Sequence, residues 1–126
     1  MEIEEIRDEV LSALNEVGYS REDVVFIFLF GSYGTEDFNQ DLSDVDICID
    51  LDVERTEEAV MKIDGRLPQK YDVSVFEQLP LYINKKVFEE TLLYARSKDE
   101  VYDKVFATLR DFESFEPLYK EAIGAK

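Results

Sequence analysis

Every residue from Val24 to Phe30 is apolar, and the run is built from β-branched side chains, phenylalanine and one leucine. A strand of this kind has no side that water can face. It reads as a central strand buried on both faces, which commits the chain to a sheet covered on both sides. The run stops at Gly31-Ser32. A polar, turn-rich stretch from Gly31 to Ser43 follows, with room for one short helical turn after Ser32. Strict alternation then begins. Val45, Ile47, Ile49 and Leu51 point to one side of a second strand, and Asp44, Asp46, Cys48 and Asp50 to the other.

The carboxylates on that second strand call for a reason. Aspartate is disfavoured in strands, and like charges at i and i+2 repel. A solvated polar face is one explanation, and a divalent cation is the better one. Magnesium takes oxygen ligands, usually one or two carboxylates together with substrate phosphates. Asp44 and Asp46 are therefore candidate metal ligands. Asp50 is expected to sit too far along the strand to touch the ion. Asp72 opens the next alternating stretch, Tyr71 to Phe76, and is the natural third carboxylate. It could help hold a second ion and take a proton from an attacking hydroxyl. Taken alone, a solvated aspartate at a strand end would explain it. Gly31 allows close backbone approach after a buried strand, the N–H groups that follow can cradle phosphate, and Ser32 adds a hydroxyl. No lysine stands where a Walker-type phosphate loop needs one.

Composition narrows the chemistry further. The chain has no histidine, which removes Ser-His and Cys-His catalysis and most zinc sites. Catalysis is left to carboxylates, hydroxyls, Lys, Arg or a hard metal. Thirty acidic residues against 14 basic ones give a net charge of −16. No basic patch is visible, so direct nucleic-acid binding is not expected. The balance favours a small metal–nucleotide substrate or a basic protein partner. No apolar run approaches the roughly 18 residues of a membrane span, so no membrane association is expected. The acidic start, Met1 to Glu5, reads as helix rather than signal peptide. Cys48, the sole cysteine, reads as a packing residue and fits a reducing, cytoplasmic location.

The 126 residues read as one domain, 1–126. Residues 3–17 carry Ile3, Ile6, Val10, Leu11, Leu14 and Val17 at helical spacing, with Gly18 as the stop. Residues 55–66 read as a short helix closed near Gly65 and Pro68, 80–90 as another, and 91–95 as a short edge strand. From Asp99 to Ala122 a last helix places Val101, Tyr102, Val105, Phe106, Leu109 and Phe112 at helical spacing. Its aromatics, Tyr102, Phe106, Phe112, Phe115 and Tyr119, read most simply as core. The order α-β-β-α-β-α-(β)-α is an α/β or α+β fold.

Taken together, Gly31-Ser32, Ser43-Asp44-Val45-Asp46 and Asp72 resemble the DNA polymerase beta-like nucleotidyltransferase superfamily, and the short length resembles its minimal branch. The stretches Tyr71 to Leu81, Thr91 to Tyr94, and Leu109 through Leu118 resemble that branch as well, so the likeness covers nearly the whole chain. The resemblance implies a small mixed sheet flanked by helices and two Mg2+ ions. It implies transfer of a nucleoside monophosphate, AMP from ATP, to an acceptor hydroxyl with release of pyrophosphate. Carried onto these residues, Asp44 and Asp46 bind both metals, Asp72 binds one and aids deprotonation, and Gly31 and Ser32 hold the triphosphate. Many minimal members are antitoxins that attach AMP to a tyrosine of a HEPN-domain toxin. An antitoxin that neutralises by binding alone, or transfer to a small molecule, are the alternatives.

Overall fold

The computed structural model describes residues 2–30 and 45–123, and side chains as far as residue 113. Helix α1 (Ile3–Glu16) leads through a 3-10 turn (Arg21–Asp23) into strand β1 (Val24–Phe30). Strand β2 (Val45–Leu51), helix α2 (Thr56–Asp64) and strand β3 (Tyr71–Val75) follow. A second 3-10 turn (Phe76–Gln78), helix α3 (Leu81–Val87), strand β4 (Thr91–Ala95) and helix α4 (Lys98–Ile123) complete the order. The four strands form one sheet in the order β3-β2-β1-β4. Strand β1 runs antiparallel to both β2 and β4, whereas β2 and β3 are parallel. A parallel pair needs a crossover, and α2 provides it. The sheet is mixed and carries helices, as the sequence implied.

The end of α1 is set by one glycine. Gly18 has φ +96°, a conformation that costs a side chain dearly and glycine little. With it in place, the Tyr19 N–H reaches the Leu14 carbonyl at 3.0 Å and the Gly18 N–H the Asn15 carbonyl at 3.1 Å. These two bonds close the helix in a Schellman motif.

Both faces of the sheet are covered, and the alternation in β2 decides which residue goes where. Val45, Ile47, Ile49 and Leu51 join Ile6, Val10 and Leu14 of α1 and Ala59 and Ile63 of α2 in one cluster. Cys48 joins Phe26, Phe28, Phe76, Val87 and Val101 in the other. Strand β1 contributes to both, as expected of a central strand, and its pairing with β2 is interrupted once. Val24 opposes Leu51 and Phe26 opposes Asp50, so Val25 is an extra residue. This β-bulge puts Val25 and Phe26 on the same side, where alternation alone would separate them. The second cluster is aromatic. Phe26 meets Phe76 edge-on at 5.1 Å between centroids, and Phe28 meets Phe88 at 5.5 Å, contacts that add about 0.5–1.5 kcal/mol each beyond burial.

Cys48 packs within this cluster with no exposed surface. Burial, and then the Asp50 carboxylate, push its thiol up to about 12. The thiolate is the reactive form, so native Cys48 is expected to resist iodoacetamide at pH 8 and to react on unfolding. Mass spectrometry of the alkylated protein, with and without urea, checks this. Rapid labelling of the folded chain would show that this face is open.

Two features of the second face differ from the sequence expectation. Asp50, grouped with the polar side of β2, is 1% exposed. Its Oδ2 lies 2.8 Å from Lys104 Nζ on α4, which also stands 6.0 Å over the Phe76 ring. Tyr102 and Phe106, expected in the core, are 57% and 69% exposed. The side of α4 that packs inward is narrower than its apolar periodicity suggests: Val101 and Thr108 are buried, and Val105 is half-buried. Phe112 is half-buried beneath Lys85, whose Nζ lies 4.7 Å from the ring centroid. Phe115 and Tyr119 lie outside the residues whose side chains are described.

Arg96 pins the start of α4. It donates to both oxygens of Glu100 at 2.6 Å, to the Glu22 carbonyl at 2.7 Å, and pairs with Asp52 at 3.1 Å. The hydrogen bonds from Arg96 hold the Glu100 carboxyl below its ordinary range.

Candidate active site

The register between β2 and β3 brings two of the candidate carboxylates together. Asp46 is the direct partner of Asp72 across the parallel pair. Paired residues on neighbouring strands point to the same face, so both carboxylates leave the sheet on the Cys48–Ser74 side. Asp46 is half-buried and Asp72 is exposed. On its other side Asp46 opposes Phe30, the last residue of β1. The end of β1 and the starts of β2 and β3 therefore lie at one edge of the sheet.

This arrangement follows from chain direction. Strand β1 runs toward that edge, while β2 and β3 both start from it because they are parallel. Phe30 immediately precedes Gly31, and Val45 immediately follows Asp44. Gly31, Ser32 and Asp44 themselves lie outside the described residues. Asp50 stands at the opposite end of β2, paired with Lys104, and does not contribute to this edge.

The donor set present suits a hard cation. Asp46 and Asp72 offer carboxylate oxygens from adjacent strands, with histidine absent from the whole chain. The nearby sulfur, on Cys48, is packed inside the aromatic cluster with no exposed surface. Oxygen ligands in this proximity match magnesium far better than zinc or copper. Without an ion, the same two charges repel across the strand pair.

Residues 3–94 match the nucleotidyltransferase domain family, and the matched segment runs from α1 to β4. The chain belongs to that family. A Methanocaldococcus jannaschii protein named "Putative protein adenylyltransferase MJ1547" is 40% identical over 63 residues. That stretch is 50% of this chain and 48% of the relative, so the match spans about half the relative's length. Solved structures agree on the fold. A chain from the crystal structure of a toxin–antitoxin with AMP-PNP superposes with a TM-score of 0.67 at 17% identity, over 93% of this chain and 94% of that one. A chain from the complex of tri-AMPylated Shewanella oneidensis HEPN toxin with MNT antitoxin gives 0.65 at 16% identity, over 93% and 91%. The toxin–antitoxin MntA–HepT gives 0.62 at 16% identity, over 93% and 92%. At these identities the likeness is one of fold.

For a nucleotidyltransferase, the Asp46–Asp72 pair is the feature of interest, because nucleotidyl transfer needs clustered carboxylates at an accessible edge. Asp50 and Asp52 are each matched by a cation, Lys104 and Arg96. No described helix is long and apolar enough to cross a membrane.

Proposed function

We propose that this nucleotidyltransferase moves AMP from ATP to a hydroxyl of a partner protein, a tyrosine of a HEPN-type toxin, and so serves as the toxin's antitoxin. The observation that carries this reading is the pairing of Asp46 with Asp72 at the sheet edge where β1 ends. The family match and the adenylyltransferase name of the archaeal relative support the reaction class. The toxin–antitoxin neighbours support the choice of partner.

In this reading Asp44, Asp46 and Asp72 hold two magnesium ions, and Gly31 and Ser32 face the triphosphate. When bound, magnesium supplies charge neutralisation of the phosphates and polarisation of the reacting phosphorus. Asp72 is exposed where an incoming protein can reach it, and it accepts the proton of the acceptor hydroxyl. The hydroxyl oxygen forms a bond to the α-phosphorus as the bond to the bridging oxygen breaks, and pyrophosphate leaves in line. Asp46 is half-buried between Phe30 and Asp72 and would serve as a metal ligand.

The test is incubation of the full chain with ATP, magnesium and a HEPN-type protein. The partner should gain the mass of one or more AMP groups, and the gain should vanish with EDTA. Tight binding with no mass gain would replace this reading with an antitoxin that acts by contact alone. Transfer to a small hydroxylated molecule, and not to the protein, would replace the acceptor.

A further inference from the structure

Strand β3 ends the sheet, and the described residues pair only its inner side. Its outer side lines a groove of about 440 Å³, walled by Val73, Ser74 and Val75 on one side and Glu57, Val60 and Met61 of α2 on the other. Val73 and Val75 point toward the α1–α2 cluster, while Ser74, opposite Cys48, points toward the aromatic face. A groove that touches residues directed to both faces takes in the outer edge of the strand. A second cleft, of about 700 Å³, shares Glu57, Met61, Val75 and Gln78 with it and adds Glu54, Arg55, Glu58 and Glu77.

The chemistry of this groove is that of a strand acceptor. Its floor is apolar, and Met61 is 75% exposed, the most exposed of the large hydrophobic side chains described. An open strand edge presents backbone N–H and C=O groups that a further strand can satisfy. The rim is acidic and only partly neutralised. Glu58 pairs with Arg55 and Lys62, each at 3.5 Å, but Glu54 and Glu77 form no ion pair with a described residue. Asp72 stands at the head of the same strand, one residue before Val73.

We propose that this groove binds an extended segment of the protein acceptor, which adds a strand to the outer edge of β3 and carries its hydroxyl to Asp72. The proposal rests on the reading that the acceptor is a protein hydroxyl. The segment is basic, because its side chains meet Glu54 and Glu77. A strand rises about 3.3 Å per residue, so the path from Val75 back to Asp72 is about 10 Å, and Lys or Arg falls about three to five residues from the hydroxyl. A second copy of this chain, itself at −16, is repelled by the same rim, as is a nucleic acid.

The test separates binding from chemistry. A fluorescein-labelled extended peptide with one tyrosine, and two lysines about four residues away along the strand, is titrated with the full chain without ATP or magnesium. Two further peptides carry N-methyl groups on alternate backbone amides, one for each edge of the peptide strand. Binding should be lost with one methylated peptide and kept with the other. The Glu54→Lys/Glu77→Lys variant should bind the parent peptide about tenfold more weakly. Its thermal midpoint should match that of the wild type, which separates lost binding from lost folding. Equal binding of both methylated peptides, affinity unchanged in the folded variant, or no binding to the parent chain each overturns the groove. The transfer reading is judged separately, by AMP gain on the HEPN-type partner. Peptide binding without any AMP gain refutes transfer and leaves the groove standing. AMP gain with the same KM for the partner in the variant refutes the groove and leaves transfer standing.

Discussion

Asp46→Asn is expected to abolish AMP transfer while leaving the fold intact. The asparagine keeps the shape of the side chain and removes the charge that would hold magnesium. Loss of a group acting on the reacting centre costs about 10²–10⁴ in rate, so activity should fall below detection in an ordinary assay. Stability should move the other way. Asp46 faces Asp72 directly across the β2–β3 pair, and like charges placed opposite each other destabilise a sheet. Without magnesium the variant should therefore unfold at an equal or slightly higher temperature than the wild type. With magnesium at about 100 times its Kd, the wild type should gain about 2.7 kcal/mol and the variant little. Thermal midpoints measured with and without the ion, beside single-turnover transfer rates, give both readings. A variant that unfolds on its own, or one that transfers AMP at the wild-type rate, would remove Asp46 from the active site.

Lys104→Ala is expected to destabilise the fold strongly, through the helix that packs over the aromatic face. Removing the lysine leaves Asp50 buried with its Oδ2 unmatched, and breaking one side of a buried ion pair costs about 3–5 kcal/mol. That is a large share of the roughly 5–15 kcal/mol that holds a domain folded. Lys104 keeps some contact with water, its side chain being 36% exposed, so the cost comes chiefly from the aspartate left behind. The double variant Asp50→Leu/Lys104→Met should recover to within about 1 kcal/mol of the wild type, since an apolar pair of similar volume often replaces a buried ion pair without loss. Urea unfolding of the three proteins at one pH checks the pattern. A cost below about 1 kcal/mol for Lys104→Ala, or no recovery in the double variant, would show that the pair does not govern this interface. The transfer site should be unaffected, because Asp50 and Asp46 lie toward opposite ends of β2.

The elements were legible in the sequence wherever a local period set them. The alternation of β2 fixed which of its residues face which cluster, because strand side chains alternate; the apolar run of β1 marked a central strand, but its bulge at Val25 set the facing there. The edge strand over 91–95 and the stop at Gly18 were legible for the same kind of reason. One needs only a short β-compatible stretch, the other only a backbone angle that glycine tolerates. Helix ends moved by a few residues: the stretch expected over 80–90 is helical from Leu81 to Val87. Strand β3 stops at Val75, and Phe76 turns into a 3-10 turn that puts its ring into the aromatic cluster.

The site divides along the same line. The i, i+2 spacing of Asp44 and Asp46 is legible in the sequence, and of the two Asp46 stands on the described strand β2. Asp72 was a candidate by its position at the start of a strand, and its place beside Asp46 depends on a pairing between strands joined through α2, which only the folded sheet sets. The partner of Asp50 was invisible for the same reason. A buried aspartate announces that it needs a cation, but nothing local says that the cation comes from α4. The exposure of Tyr102 and Phe106 also belongs to tertiary structure. Periodicity tells which residues share a helix face, and packing tells how much of that face another element covers. Local chemistry thus determined the strands, their two faces and the carboxylate pattern. Register, burial width and long-range charge pairing were decided by the fold, because each depends on contacts between segments far apart in the chain.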